Sequence, residues 1–271
     1  MSARATLLED LGRAGDITTD AIVPPDHRSR LALGARQDGV VAGLDLARIA
    51  FRLMDPDIDM IVHRPDGAPV RAGEAIATLS GSTRGLLTAE RTALNLLCRL
   101  SGIATATAGL VDAVRGHRAS IVCTRKTTPG LRALEKYAVR AGGGGNHRFG
   151  LDDAILIKDN HVAIAGGIRP ALQRARNHAG HMVKIELEVD SLDQLREAME
   201  IGVDAVLLDN MGPEMLAEGV SIIAGRAISE ASGRITPQTA PAIAASGVDL
   251  ISCGWITHSA AILDIGFDHL D

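Results

Sequence analysis

The sequence predicts an α/β protein in which a six-stranded β/α barrel follows an N-terminal α+β layer, and three observations predict it. From about Ser120 onward six short β-rich runs alternate with helical patterns: SIVCTRK, AILIKDN, VKIELEVD, DAVLLDN, AISEASG and VDLISCG. Each run stays apolar until its C-terminal end, where it yields Arg125 and Lys126, Lys158, Glu188, Asp209, Ser232 or Gly254. The first hundred residues show no such alternation.

In that first part Asp38-Gly39 and Asp66-Gly67 are hairpin-type turn signals. Apolar residues recur with helical spacing over residues 44–54 and again over 87–100, and SGIATAT, residues 101–107, is expected to join this layer to the barrel. Beyond it, helix starts are marked by Pro129 after Thr127-Thr128, by Ser191 with Gln194 as a capping box, by Pro213 after Asn210 and by Pro237 behind Thr236. Repeated strand–helix units with short links imply right-handed crossovers and parallel strands. An open doubly wound sheet concentrates its site at one switch point, whereas a barrel builds it from the C-terminal ends of many strands. Chemistry at the end of all six runs therefore favours the barrel, with fewer than the usual eight strands. In VKIELEVD the residues Val183, Ile185, Leu187 and Val189 share one face and Lys184, Glu186 and Glu188 the other. Acids turned into a barrel interior need a cation or metal beside them.

The charge distribution narrows the ligand. The chain of 271 residues carries a net charge of -5, yet seven of its 28 lysines and arginines and two of its nine histidines fall between Cys123 and His161. A local positive site in an acidic protein suits a small polyanion, since nucleic acid would ask for a broadly basic surface. With five aromatic residues in all (Phe51, Phe149, Phe267, Tyr137, Trp255), the base-stacking platforms of single-strand binders are missing as well. Arg132, Lys136 and Arg140 recur every four residues beside Leu131, Leu134 and Ala138 and read as the solvated face of a helix. Arg125, Lys126, His147, Arg148 and Lys158 instead sit at the ends of apolar runs or after a glycine run, where an unpaired cation is costly without a function. The N-terminus lacks a signal-peptide pattern, and no stretch is expected to approach the roughly 20 apolar residues that span a bilayer. Cys98, Cys123 and Cys253 are scattered, with no CxxC pair, so buried thiols in a soluble intracellular protein are expected, with neither nucleic acid nor membrane as partner.

The glycine run of residues 142–146, GGGGN, does not have P-loop spacing, and its plain role is to end a helix. The combination of motifs is far more specific. TRKTTPGLR, GGGGNHRFGL, LIKDNH, ELEVD, LLDNM and EASG follow one another in this order, preceded by DITTD and LLTAERTALNLLCRLSGIATAT and followed by THSAAILDIG. From about Leu7 to Asp268 the chain resembles the quinolinate phosphoribosyltransferases. That resemblance implies an N-terminal open-faced sandwich over residues 1–105 and an incomplete six-stranded α/β barrel over 106–271, with the C-terminal tail returning to the first domain. It implies a cytoplasmic homodimer, or a higher oligomer built from dimers, that makes nicotinate mononucleotide, pyrophosphate and CO2 from quinolinate and phosphoribosyl pyrophosphate with Mg2+. It also implies roles: Arg125, His147, Arg148 and Lys158 on quinolinate, joined by Arg91 from the neighbouring subunit; Lys126 toward phosphoribosyl pyrophosphate; Glu188 and Asp209 near the ribose and Mg2+. The 5′-phosphate would lie on Ser232, Gly233 and Gly254, where backbone N–H groups are available. Arg234 and Trp255 depart from the family pattern, which has glycine and a small residue there.

The chemistry of the residues agrees, because a pyridine dicarboxylate calls for several Arg, Lys or His donors, with guanidinium forks best matched to carboxylates. Three alternatives compete. One is a related phosphoribosyltransferase of altered specificity, such as the molybdenum-locus paralogue. The others are a Schiff-base aldolase using Lys158 and an anion-binding module without turnover.

Overall fold

The computed structural model describes residues 3–270; the outermost ends of the two expected domains, residues 1–2 and 271, lie outside the described residues. In chain order the elements are α1 (Ala3–Leu11), α2 (Ile17–Ile22), β1 (Arg28–Ala35), β2 (Gly39–Val40), α3 (Leu44–Met54), β3 (Asp59–Val62), β4 (Pro69–Val70), β5 (Ala75–Ser82) and α4 (Thr83–Ala113). They continue with β6 (Ser120–Val122), α5 (Arg132–Ala141), β7 (Ile155–Ile157), α6 (Asp159–Ala165), α7 (Ile168–His178), β8 (Ile185–Val189), α8 (Leu192–Ile201), β9 (Ala205–Asp209) and α9 (Pro213–Ile223). The last are β10 (Ile228–Ser232), α10 (Ala240–Ala245), β11 (Leu250–Ser252), α11 (Trp255–His258) and β12 (Ile265–His269). Two compact units interleave along the chain: one comprises Met1–Ala108, Thr128–Gly143 and Ser259–Asp271, the other Gly109–Thr127 and Gly144–His258.

In the first unit an antiparallel sheet in the order β12-β1-β5-β3 is assembled from distant parts of the chain. Its C-terminal strand pairs with β1, Leu33 opposite Phe267. One face of the sheet buries Leu31, Leu33, Ile76 and Leu79 in a core shared with Phe51 of α3 and Leu86, Leu94 and Leu97 of α4. Neither Asp-Gly pair makes a hairpin: β2 pairs with β4, and β3 with β5. Asp66 is instead used as a distant helix cap, its carboxylate accepting from the N–H groups of Gly43 (2.9 Å) and Leu44 (3.2 Å) at the start of α3 and from the Tyr137 hydroxyl (2.6 Å). That carboxylate pushes the phenol up to about 12.

Residues 101–107 are not a link but the middle of α4, a helix of 31 residues. Their smallness serves close packing. A Cβ on Gly102 would meet the carbonyl oxygen of Ala261 at 2.0 Å, and the buried Ser101 hydroxyl joins the Ala42 N–H and C=O. The expectation that no stretch is long and apolar enough to span a bilayer also fails on α4, which passes by length and composition. Leu86, Leu94, Leu97, Leu100 and Ile103 of this helix are core residues, and a core helix reads apolar all round. The solvated-face reading of α5 fails at Lys136, which is 3 % exposed, while Glu135 beside it is fully buried. Glu135 accepts from Arg99 (2.9 Å) and from the N–H and hydroxyl of Thr128 (2.9 and 2.7 Å), so its charge is compensated within the first unit.

The second unit is a six-stranded parallel sheet in the order β6-β11-β10-β9-β8-β7. Neighbours are sequential from β7 to β11, and β11 then pairs with β6, which is the cyclic order of a barrel left open between β6 and β7. The glycine run partly fills this seam, Gly145 forming a single parallel bridge to Val122, while Gly143, with φ 85°, turns the chain out of α5. Apolar residues on the helix-facing side of the strands, among them Ile121, Leu187, Val206, Leu208 and Ile251, are buried. Ser191 caps α8 by accepting from the Gln194 N–H, and Pro213 opens α9 as expected; α10 begins only at Ala240, after a turn that contains Pro237.

Candidate active site

One cavity of about 400 Å³ opens at the C-terminal ends of the strands, and its lining draws on all six: Arg125 after β6, Lys158 after β7, Glu188 of β8, Asp209 of β9, Ser232 of β10 and Ser252 of β11. Lys126, His147 and Arg148 line it too. A flat sheet could not bring its two edge strands to one cavity, so the sheet is curled. A second space of about 370 Å³ adjoins it, sharing Lys126, Asp209 and Ser232 and adding Gly233, Arg234, Gly254 and Trp255. Ten of the eleven residues expected at the site therefore converge here. Arg91 is the exception: it lies on α4 with its side chain 67 % exposed, paired with the adjacent Glu90 (2.8 Å), and does not line either cavity.

The cationic wall is held rigidly. Arg148 donates from Nη1 to the Ala154 carbonyl (2.9 Å), and both burial and the nearby Arg125 charge lower its pKa. Two guanidinium groups in this proximity repel unless an anion lies between them. The Nε of Arg125 is buried and has no hydrogen-bond partner among the described residues. A buried donor left in this way costs about 1–3 kcal/mol, which a bound acceptor recovers. Lys158 lies at the N-terminus of α6, its backbone N–H donating to His161 Nδ1 (2.9 Å), so His161 serves the helix start. The Lys158 ammonium forms an ion pair with Glu188.

His147 is engaged on both sides of its ring. Nδ1 lies 2.8 Å from the backbone N–H of Arg148, and Nε2 lies 2.9 Å from Glu186 Oε2. In this arrangement the imidazole fixes the turn that aims Arg148 rather than presenting a ring N–H to the cavity. Glu186, expected to face the barrel interior, does so; Lys184 does not, since it precedes β8 and pairs with Asp204 (2.8 Å).

Sequence reasoning missed Glu230. It is 1 % exposed, lies 3.6 Å from His147 Nε2 and forms part of the cavity floor. Burial, then the neighbouring Glu186 carboxylate, pushes it up to about 7, with His147 and the Ser252 hydroxyl pulling the other way. The signal was present in ISEAS: Glu230 stands two residues before Ser232, on the same face of β10, as Glu186 does before Glu188 on β8.

Around the second space the backbone is unusual. Asn210 and Arg234 have φ of 56° and 47°, and Gly233 has φ 109°. A Cβ on Gly233 would lie 2.3 Å from Asn210 Oδ1, and one on Gly254 would lie 2.8 Å from Lys126 Cδ. Gly233, in the left-handed region and against the Asn210 backbone as well as its side chain, therefore cannot be replaced without strain, whereas at Gly254 the flexible Lys126 side chain could move aside. Trp255 donates from Nε1 to the Ile235 carbonyl (2.9 Å), which ties the two loops together and gives this residue a packing role.

Residues 16–101 match the family description "Quinolinate phosphoribosyl transferase, N-terminal domain" and residues 103–268 its C-terminal counterpart. The chain belongs to the quinolinate phosphoribosyl transferase family. It is 46% identical over 261 residues to the "Probable nicotinate-nucleotide pyrophosphorylase [carboxylating]" of Bacillus subtilis, covering 96% of this chain and 90% of that protein. With the "Nicotinate-nucleotide pyrophosphorylase [carboxylating]" of Mycobacterium leprae the identity is 45% over 270 residues, covering 98% and 95%. Among solved structures, NadC from Streptococcus pyogenes superposes with a TM-score of 0.94 at 42% identity, over 99% of this chain and 96% of that one. Family membership bears out the six-stranded barrel with a separate antiparallel N-terminal sheet. It also leaves the aldolase and the non-catalytic module without support. The geometry agrees, since a Schiff-base lysine must offer a free neutral amine and Lys158 is ion-paired.

Proposed function

We propose that this chain transfers the phosphoribosyl group of phosphoribosyl pyrophosphate to quinolinate with loss of CO2, giving nicotinate mononucleotide and pyrophosphate in NAD biosynthesis. The observation that carries the reading is the pairing of two adjoining cavities, one walled by Arg125, Arg148 and Lys158, the other by glycine loops and Lys126. Guanidinium forks suit the two carboxylates of quinolinate, and exposed loop N–H groups with Lys126 suit phosphates. Asp209 lines both cavities and Glu188 the first, so carboxylates would face the ribose between base and pyrophosphate. As the pyridine nitrogen attacks the anomeric carbon and pyrophosphate leaves, positive charge develops on the ribose, and these two acids stabilise it. The test is formation of nicotinate mononucleotide from quinolinate and phosphoribosyl pyrophosphate, with nicotinate as the control substrate.

Mg2+ fits the donor set. Glu188 and Asp209 offer hard oxygen ligands, but Glu188 is shared with Lys158 and Asp209 accepts from Asn210 (2.6 Å). The ion would thus be held by these two acids together with phosphate oxygens and water, and would supply neutralisation of charge on the departing pyrophosphate. Glu188→Gln and Asp209→Asn each keep side-chain shape and remove one charge. Both variants are expected to stay folded by circular dichroism and to lose about 100-fold or more in kcat at saturating Mg2+. Near-normal turnover in both would reduce the acids to structural ion-pair partners.

A second expectation concerns Arg234, an arginine in the left-handed region where glycine is at ease. Arg234→Gly should raise thermal stability by up to about 1 kcal/mol and, because a charged phosphate contact is lost, raise the KM for phosphoribosyl pyrophosphate about tenfold. Stabilisation with an unchanged KM would identify Arg234 as surface. Ser232→Ala should change the same KM more mildly, since the loop N–H groups remain.

A cytoplasmic homodimer completes the reading. Three buried free thiols suit a reducing compartment, and the exposed Arg91, absent from the lining of both cavities, is available to the site of a second copy.

A further inference from the structure

The loop after β6 carries two cations of the cavity lining, Arg125 and Lys126, yet little of the sheet supports it. β6 is three residues long and stands at the open seam, with β11 as strand partner on one side and the single Gly145 bridge on the other. Its pairing with β11 ends at Val122 opposite Ser252. Further on, the Lys126 N–H donates to Thr124 Oγ1 (3.0 Å) and the Thr127 N–H to the Arg125 carbonyl (3.0 Å), both within the loop itself. Contacts of that kind shape a loop without fixing where it stands in the barrel.

A tie to the rest of the barrel comes from Thr257 on α11. This residue is fully buried, and its hydroxyl donates to the Lys126 carbonyl (2.7 Å) across 131 positions of sequence. The Gly254 carbonyl also lies 3.0 Å from Oγ1, but it already accepts from the N–H groups of Thr257 (3.2 Å) and His258 (3.3 Å). The single hydroxyl proton therefore goes to Lys126. On its other side the same short helix holds the loop after β10, through the Trp255 donor to the Ile235 carbonyl. α11 thus clasps the two loops that bring Lys126 and Arg234 to the second space. The Lys126 ammonium has no ion-pair partner among the described residues, so its place is decided by its backbone and by Gly254, against which its Cδ lies.

Resting on the reading that Lys126 meets the phosphates of phosphoribosyl pyrophosphate, we infer that Thr257 is a positioning residue for that substrate. Its hydroxyl holds the Lys126 backbone against the Gly254 loop and so sets the distance between the ammonium and the loop N–H groups on the far side of the phosphates. Thr257 lines neither cavity and acts through Lys126 alone. Quinolinate depends on it far less, since Arg148 and Lys158 stand on other elements and Arg125 precedes the carbonyl that is held.

Thr257→Val keeps the shape and removes the hydroxyl. Its KM for phosphoribosyl pyrophosphate should rise about tenfold, the scale of one weakened charge-assisted contact, while the KM for quinolinate stays within about twofold of wild type. Thr257→Ser keeps the donor and should restore the wild-type values. Calorimetric titration with phosphoribosyl pyrophosphate then asks whether the effect passes through Lys126. Thr257→Val should weaken binding about tenfold in the wild-type background but less than about twofold in Lys126→Ala, a coupling that independent sites do not show. An unchanged KM for phosphoribosyl pyrophosphate, an equal rise in both KM values, failure of the serine to rescue, or the same loss in the Lys126→Ala background overturns the proposal. If Thr257→Val does not fold, Thr257→Cys decides, because a thiol is a weak donor and Thr257→Ser controls for the missing methyl. The cysteine variant should bind phosphoribosyl pyrophosphate several-fold more weakly than the serine variant, and equal binding overturns the proposal. Failure of wild type to form nicotinate mononucleotide from quinolinate would sink the functional reading instead, so the two failures are distinct.

Discussion

Quinolinate should be turned over with a kcat/KM about 10³-fold or more above that for nicotinate, the range expected when a site built around a polar partner meets an analogue lacking it. The expectation rests on the wall formed by Arg125, Arg148 and Lys158. Arg148 is partly desolvated and feels the Arg125 charge, as the lowering of its pKa records, and Arg125 Nε is buried with no acceptor among the described residues. Two carboxylates on adjacent ring carbons can neutralise both guanidinium groups and reach the orphan donor. A monocarboxylate leaves a half-buried guanidinium under-compensated, which weakens binding and turnover. Nicotinate also lacks the group whose loss makes the reaction irreversible. Initial rates of nicotinate mononucleotide formation from each acid, at matched phosphoribosyl pyrophosphate, measure the ratio. Comparable efficiencies would mean that these cations are matched to a different anion, and the family's altered-specificity branch would return as the better reading.

How much of this could be read beforehand depends on what each residue reports. Strand ends were legible because a parallel strand in a barrel is apolar until it reaches the site, so Lys158, Glu188 and Asp209 stood out as polar breaks in apolar runs. Glu230 was lost because it lies inside a run that also contains Ser229, and a polar–polar pair hides the two-residue alternation that Glu186 and Glu188 displayed. Lys136 and Glu135 were misread because periodicity counts charged residues as solvated, whereas both are buried in the first unit with Arg99 and Thr128 near the Glu135 carboxylate. Small residues deceived in the same manner over 101–107. Their composition reads as a linker, but the Ser101 and Thr107 hydroxyls return to backbone carbonyls and Gly102 admits the Ala261 carbonyl, so the segment is a helix built for close approach. The Asp-Gly signals carried turn information and no pairing information, which is why β2 joined β4 across the chain. Partners distant in sequence are the part of a fold that local pattern cannot encode.

Arg91 on α4 would be dismissed as solvated surface: its side chain is 67 % exposed and pairs with neighbouring Glu90, an interaction worth at most about 1 kcal/mol. If it serves the site of a second copy, Arg91→Ala should nearly abolish activity while leaving thermal stability unchanged, a combination that ordinary surface arginines do not show. Lys158→Ala should also be nearly inactive, because it removes a cation from the cavity wall and leaves Glu188 without its partner. When the two inactive variants exchange subunits, a mixed dimer contains one site with an intact barrel that receives Arg91 from its partner, and one site with both lesions. Random exchange makes about half the dimers mixed, each with one good site of two, so roughly a quarter of wild-type activity should return under two-fold symmetry. Exchange by mild denaturation and refolding, with each variant treated alone, provides the control. If both variants alone are inactive and verified mixed dimers recover nothing, Arg91 acts within its own chain. Recovery near a quarter would instead make the dimer the smallest catalytic unit, since no single chain would then hold a complete site.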